Sequence, residues 1–119
     1  MILSFFNQGS EDVFNGKNTK QARKVCPASI SRVAARKLDQ INAATRLDDL
    51  RAPPNNRLES LLGDRLGQHS IRINDQYRIC FICRTYAKRK RGVKMNKDYR
   101  KINDIKVYHP RLLSVPTKQ

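Results

Sequence analysis

A histidine stands at position 109, at the end of the run Asp104-Ile105-Lys106-Val107-Tyr108-His109, with Pro110 behind it. Ile105 and Val107 alternate with Lys106 and Tyr108, the period of a half-buried β-strand, and a proline ends such a ladder. An imidazole titrates near neutral pH and can give or take a proton. The phenol beside it can donate a hydrogen bond or stack on a base. From these residues alone, a polar strand end is the simpler reading and a proton-transfer site the sharper one. Two cysteines further back, Cys80-Phe-Ile-Cys83, match the CxxC spacing of zinc and redox sites. Such sites place the pair on a turn. Here the pair sits in an apolar strand, where residues three apart point to opposite faces. Cys26, Cys80 and Cys83 are therefore read as reduced thiols, which fits a reducing cytoplasm, and no metal or other cofactor is expected.

The balance of charge points to the partner. The 119 residues carry a net charge of +15, with a pI near 10.4. A polyanion is the expected partner: nucleic acid, the ribosome, an acidic protein or an anionic surface. Residues 84–101 alone hold nine Lys/Arg and one Asp, and the remainder is still basic. The opening segment MILSFFNQGSEDVF has no basic stretch ahead of a long apolar run and is not read as a signal peptide. No window reaches the length of a membrane helix, so no membrane partner is expected.

The elements that must position these groups follow from periodicity. Residues 2–6 read as a short strand, and Ser10 followed by two acids as a helix start. Residues 17–27 read as a loop. The clearest helix is SISRVAARKLDQINAAT, capped by Ser29. Ile30, Val33, Ala34, Leu38, Ile41 and Ala44 form its apolar stripe, interrupted by Lys37. Arg32 and Arg36 lie off the stripe, on a solvated face. Thr45 opens one short turn that Pro53-Pro54 stops. RLESLLGD (57–64) reads as a short strand running into a turn. HSIRI (69–73) and YRICFIC (77–83) flank Asn74-Asp75-Gln76 as a hairpin. Parity requires a three-residue loop or a bulge there, since a two-residue loop would set Ile71 against Arg78. In that register His69 takes the core side, while Arg72, Arg78, Lys106 and Tyr108 share the other face. The run 84–101 lacks apolar periodicity and reads as a flexible loop. The fold class is α+β: a curved antiparallel sheet with two N-terminal helices packed on one face. One domain is expected over 1–109, with a basic hairpin insertion near 84–101 and a mobile tail at 110–119.

Taken together, several segments resemble the HigB-type toxins of bacterial toxin–antitoxin modules, in the RelE superfamily and also known as plasmid maintenance killer proteins. They are MILSF, VAARKLDQINAATRLDDLRAPPNNRLESL, LGDRLGQHSIRINDQYRICF and the terminal Val107-Tyr108-His109. The resemblance covers residues 1–83 and 102–109. It implies a RelE-like, microbial-RNase-like fold and cleavage of mRNA in the decoding site of the ribosome. It also implies neutralisation by a helix-turn-helix antitoxin, through which operator DNA is reached only indirectly. By position, the family's sheet arginine falls on Arg78 and its C-terminal tyrosine and histidine on Tyr108 and His109. Three features depart from the pattern. Leu62 stands where a lysine is common, Val107 stands where an acid is common, and the chain continues with a swollen hairpin and ten residues beyond His109.

A protein can cut RNA without metal by using the chain's own 2′-OH as nucleophile. The reaction needs a base, an acid, and positive charge on the developing phosphorane. On the resemblance, His109 is the acid or base, Arg78 grips phosphate, and Tyr108 donates or stacks. Arg65 or Arg72 would supply the cation missing at Leu62. Lys106 and the run Lys88, Arg89, Lys90 and Arg91 would hold RNA through phosphate contacts. The alternative is a weakened relative that binds the antitoxin and acts as co-repressor of its own operon, a reading that Leu62 and Val107 support.

Overall fold

The computed structural model describes residues 1–90 and 93–107, with the backbone alone described for 84–90, 93–99, 106 and 107. The chain begins with strand β1 (Ile2–Phe5) and three helices: α1 (Gln8–Phe14), α2 (Lys20–Val25) and α3 (Ser31–Ala43). Strands β2 (Glu59–Ser60), β3 (His69–Arg72), β4 (Tyr77–Lys90) and β5 (Val93–Val107) follow, in the sheet order β1-β5-β4-β3-β2.

The N-terminal helices are set by their caps. Asn7, not Ser10, opens α1, its Oδ1 accepting the Ser10 N–H at 2.8 Å. A helix forms where a loop was expected because the Thr19 hydroxyl caps α2 at the Ala22 N–H, 3.1 Å away. The same hydroxyl donates to Asp12 at 2.6 Å, and the Gln8 amide donates to that carboxylate at 2.8 Å. These bonds hold the Asp12 carboxyl below its ordinary pKa. The two helices cross closely at Gly9, where a Cβ would lie 2.4 Å from the Gln21 carbonyl oxygen. Only glycine fits that crossing.

Helix α3 keeps the expected stripe but starts after a 3-10 turn at Ala28–Ile30 and has no side-chain cap. Ala34, Leu38 and Ile41 are fully buried against Ile71, Ile79, Phe81, Ile102 and Ile105 of the sheet. Burying each large side chain contributes about 1.5–3 kcal/mol. Lys37, the polar interruption of the stripe, donates to Asn56 Oδ1 at 2.5 Å. Buried Asn56 in turn donates to the Gln40 side chain and to the carbonyls of Leu50 and Ala52. A polar residue on the stripe is thus satisfied by the turns that follow the helix. Arg32 and Arg36 are exposed, as expected.

The sheet is mixed rather than wholly antiparallel. β1 runs parallel to β5, and the other pairs are antiparallel. No hairpin joins β1 to β5; the helices and three strands lie between them in the chain, so turn geometry does not fix their relative direction. The β3–β4 register is the one parity required. Ile71 pairs with Ile79, Arg72 with Arg78, and His69 with Phe81. The Ile73 N–H reaches the Tyr77 carbonyl at 2.9 Å, which leaves a three-residue loop, 74–76, held by Asn74 Oδ1 as it accepts the N–H groups of Gln76 and Tyr77.

The run read as a flexible loop is instead paired backbone. From Arg84↔Tyr99 to Lys90↔Val93, β4 and β5 continue as a two-stranded ribbon. Among the described residues, the ribbon has no third strand beside it. Backbone pairing needs no apolar alternation, so a charged sequence can hide a strand pair from periodicity.

Candidate functional site

Away from the helices, the register builds rows across β2–β5. Arg72, Arg78 and Lys106 occupy one row, since Arg72 pairs with Arg78 and Arg78 with Lys106. Glu59, Ser70, Cys80 and Asp104 occupy the next. A bulge follows, because Cys80 pairs with Asp104 while Phe81 pairs with Ile102, leaving Asn103 as the extra residue on β5.

Arg78 is on the expected face but is not an exposed fork. It is 2% exposed. Its Nε donates to Ser70 Oγ at 2.8 Å, and its Nη2 donates to the carbonyls of Arg57 and Ser70. The Glu59 carboxylate is 3.9 Å away. The segment before β2 brings these acceptors over the sheet. It turns at Arg57, whose φ of 46° is left-handed and caps the 3-10 turn Pro54–Asn56. A bidentate grip on phosphate through a free guanidinium is therefore not this geometry. Arg78 is a fixed charge just beneath the surface, held in place by its acceptors.

The two arginines expected to supply a second cation are also engaged. Arg65 makes a two-pronged bond to Asp104, Nη1 to Oδ1 at 2.8 Å and Nη2 to Oδ2 at 2.9 Å, and its Nη1 also reaches Gln68 Oε1 at 3.1 Å. The bond to Asp104 raises the Arg65 pKa further. Arg72 pairs with Asp75 across the hairpin loop and remains partly exposed. Arg57, Glu59, Arg72 and Arg78 line a small cavity of about 130 Å³. Burial, and then the charges of Arg36 and Arg72, pushes the Lys37 ammonium down.

The structure therefore brings Arg72, Arg78 and Lys106 into one row, with Arg65 beside the next. Lys88, Arg89 and Lys90 take positions along the ribbon, away from that row. Their side chains and that of Lys106 lie outside the described residues, as do Arg91, Tyr108, His109 and the segment 110–119 in full. Sequence reasoning missed Glu59, Ser70 and Asp104. The signal for two of them was the same alternation, since Ser70 precedes Arg72, and Asp104 precedes Lys106, by one period.

His69 takes the core side, its ring 6.0 Å from Phe81 and its Nδ1 3.3 Å from the Ser60 hydroxyl. Burial pushes its pKa down. Cys26, Cys80 and Cys83 are free thiols, and burial raises Cys26 and Cys80 to about 11, where they stay protonated. Among the described residues, no three His, Cys, Asp or Glu side chains gather as metal ligands. No helix among them is long and apolar enough to cross a membrane.

Comparison with known proteins places the chain in a family. Toxin HigB-1 of Vibrio cholerae serotype O1 is 41% identical over 81 residues, covering 68% of this chain and 82% of the relative. An uncharacterized protein of Haemophilus influenzae is 46% identical over 55 residues, covering 46% of this chain and 54% of that protein. Among solved structures, a YoeB/ParE toxin from Agrobacterium tumefaciens aligns over 92% of this chain and all of its own. Its TM-score is 0.45 and its identity 18%, a likeness too loose to assign a fold. The model of the HigB-like toxins, described as the RelE-like toxin of type II toxin-antitoxin system HigB, matches residues 3–90. With that match over most of its length and 41% identity to Toxin HigB-1, the chain belongs to the HigB-like toxin family, whose type II systems pair each toxin with an antitoxin.

Proposed function

We propose that the protein is an mRNA endonuclease that acts on the translating ribosome in the cytoplasm and is held inactive by a helix-turn-helix antitoxin. The observation that supports this best is the row Arg72–Arg78–Lys106 on the polar face of the sheet. Lys106 precedes Tyr108 and His109 by two and three residues. In this reading the RNA 2′-OH attacks the adjacent phosphorus and the bond to the 5′-oxygen breaks. His109 moves a proton in one of the two half-steps. Tyr108 donates a hydrogen bond or stacks on a base. Arg78 contributes a preorganised positive field beneath the phosphorane rather than a direct grip, because its Nε and Nη2 donors are already committed to Ser70 and Arg57. Lys106 and the ribbon cations Lys88, Arg89, Lys90 and Arg91 hold phosphate backbone. Operator DNA is met only through the antitoxin.

Acid–base catalysis by one group is worth roughly 10²- to 10⁴-fold. A site with one imidazole therefore gains from positioning by the ribosome. Induction in cells is expected to arrest growth, and His109→Ala and Tyr108→Ala to relieve it at matched expression. Purified protein is expected to cut translated message far faster than naked RNA. Equal rates on both, or full toxicity of His109→Ala, would overturn the reading. Arg78→Ala is a poorer probe, since it also removes a buried charge from its acceptors. Arg78→Lys keeps the charge and is expected to retain more activity than Arg78→Ala.

A further inference from the structure

Beside the cationic row lies an open cleft of about 400 Å³, lined by Phe6, Arg65, Gln68, Asn103 and Asp104 among others. That volume is in the range of small-ligand sites, about 300–1,000 Å³. We propose that this cleft takes an unpaired nucleobase of the RNA, an inference that rests on the RNA-directed reading above.

Four observations carry it. Phe6 is 70% exposed, an unusual position for a phenylalanine in a basic protein. It directly follows β1, its N–H bonded to the Ile102 carbonyl at 2.8 Å, so the ring is carried on hydrogen-bonded backbone. The Lys101 ammonium lies over the ring, 6.0 Å from its centroid, so an aromatic and a cation meet at one place, as in sites that combine base stacking with positive charge.

The polar wall is preorganised. Arg65 is tied to both Asp104 and Gln68, and the Gln68 N–H returns to the Arg65 carbonyl at 2.9 Å. Its loop is bracketed by Gly63 and Gly67 at φ of 64° and 92°, a backbone that other residues rarely adopt.

Asn103, the extra residue of the β5 bulge, has a buried carboxamide oxygen with no hydrogen-bond partner among the described residues. Such an acceptor is costly to leave unmade, and a base N–H can satisfy it. Bulges commonly re-aim a side chain beside a functional site.

Placement completes the case. Asp104 is two residues from Lys106, about 7 Å along the strand. A base in the cleft thus leaves its own phosphate near the row that includes Arg78. An apolar protein segment would also meet Phe6, but the net charge of +15 and the neighbouring lysine favour a polyanion.

The test is binding of a short 2′-O-methyl RNA, which its own 2′-oxygen cannot cut, to purified full-length protein. An otherwise identical series carries one abasic position moved along the strand. One abasic position is expected to weaken wild-type binding by about 5- to 150-fold, the usual range for one stacked base. Phe6→Ala is expected to lose a similar factor and to bind the abasic and intact strands alike, while Phe6→Tyr restores the discrimination. Asn103→Ala is expected to lose about 3- to 10-fold. Thermal unfolding of Phe6→Ala, truncated at an exposed ring, is expected to match wild type. Unchanged binding by Phe6→Ala, or equal losses on intact and abasic strands, would overturn the proposal. So would a Phe6→Ala variant that releases antitoxin but binds RNA normally, since the cleft would then be a protein contact. Absence of cleavage on translated message would instead overturn the endonuclease reading, with the base-binding result standing on its own.

Discussion

The two faces of β3–β4–β5 use the same strands and the same register, yet they bury their residues by different means. On one face Ile71, Ile79, Phe81 and Ile102 are fully buried against α3. On the other, Ser70, Arg78 and Cys80 are just as inaccessible, but what covers them is largely polar: the Arg57 carbonyl, the Glu59 carboxylate and the Arg65–Asp104 pair. Apolar burial is non-directional and scales with area. Polar burial depends on each donor meeting a particular acceptor, and losing one partner costs more than the bond is worth. The first face supplies stability that tolerates conservative change. The second holds charge ready at a cost in tolerance.

Four measurements test this contrast. The largest effect is expected at Ile79, paired on both sides and inaccessible. Ile79→Ala should destabilise by about 2–5 kcal/mol in denaturant melts, and Ile79→Val by about 0.5–1.5. On the polar face, Ser70→Ala removes one oxygen and almost no volume, but it deprives Arg78 Nε of its acceptor. A loss of about 1–3 kcal/mol is expected, larger than Ile79→Val despite the smaller change in shape. If Ile79→Val proves the costlier of the two, the distinction between the faces fails. Asp104→Asn weakens a pair that is partly solvated, with side-chain exposures of 19% and 22% for Arg65 and Asp104. About 1 kcal/mol is expected, falling with added salt.

The smallest effect is a pH dependence from the apolar side. Burial lowers the folded-state pKa of His69 below its ordinary 6.5. The unfolded chain then binds more protons in mild acid, so this contribution is complete above about pH 6.5 and is lost as pH falls from there toward the folded value. Stability should slope downward by less than one proton in that interval, and His69→Gln should flatten the slope. An unchanged slope would show that His69 is not the group responsible.

Much of the central sheet was legible because alternation is local. Arg72 opposite Arg78, and His69 on the core side, followed from period two and the length of one loop. The burial of Arg78 was not legible, because its cover arrives from Arg57, Glu59 and Ser70, and nothing in the run Tyr77–Cys83 encodes their approach. Helix α2 was missed for a related reason. Of its six residues only Ala22 is buried, so no stripe appears, and the structure rests on the Thr19 cap. The parallel seating of β1 depends on a contact between the two ends of the described chain, which pattern alone does not reach. The pairing of 84–90 with 93–99 was masked by charge, since lysines and arginines erase the alternation by which strands are recognised.

That ribbon has a consequence for association. Two strands with no third neighbour among the described residues present open edges, and open edges invite pairing with another copy of the same chain. Proteins guard such edges with lysine, and this one carries Lys88, Lys90, Lys94 and Lys97 there. Like charges on identical arms repel. Whatever neutralises them, a bound polyanion or concentrated salt, also lifts that guard. Self-association of the free toxin should therefore rise with ionic strength.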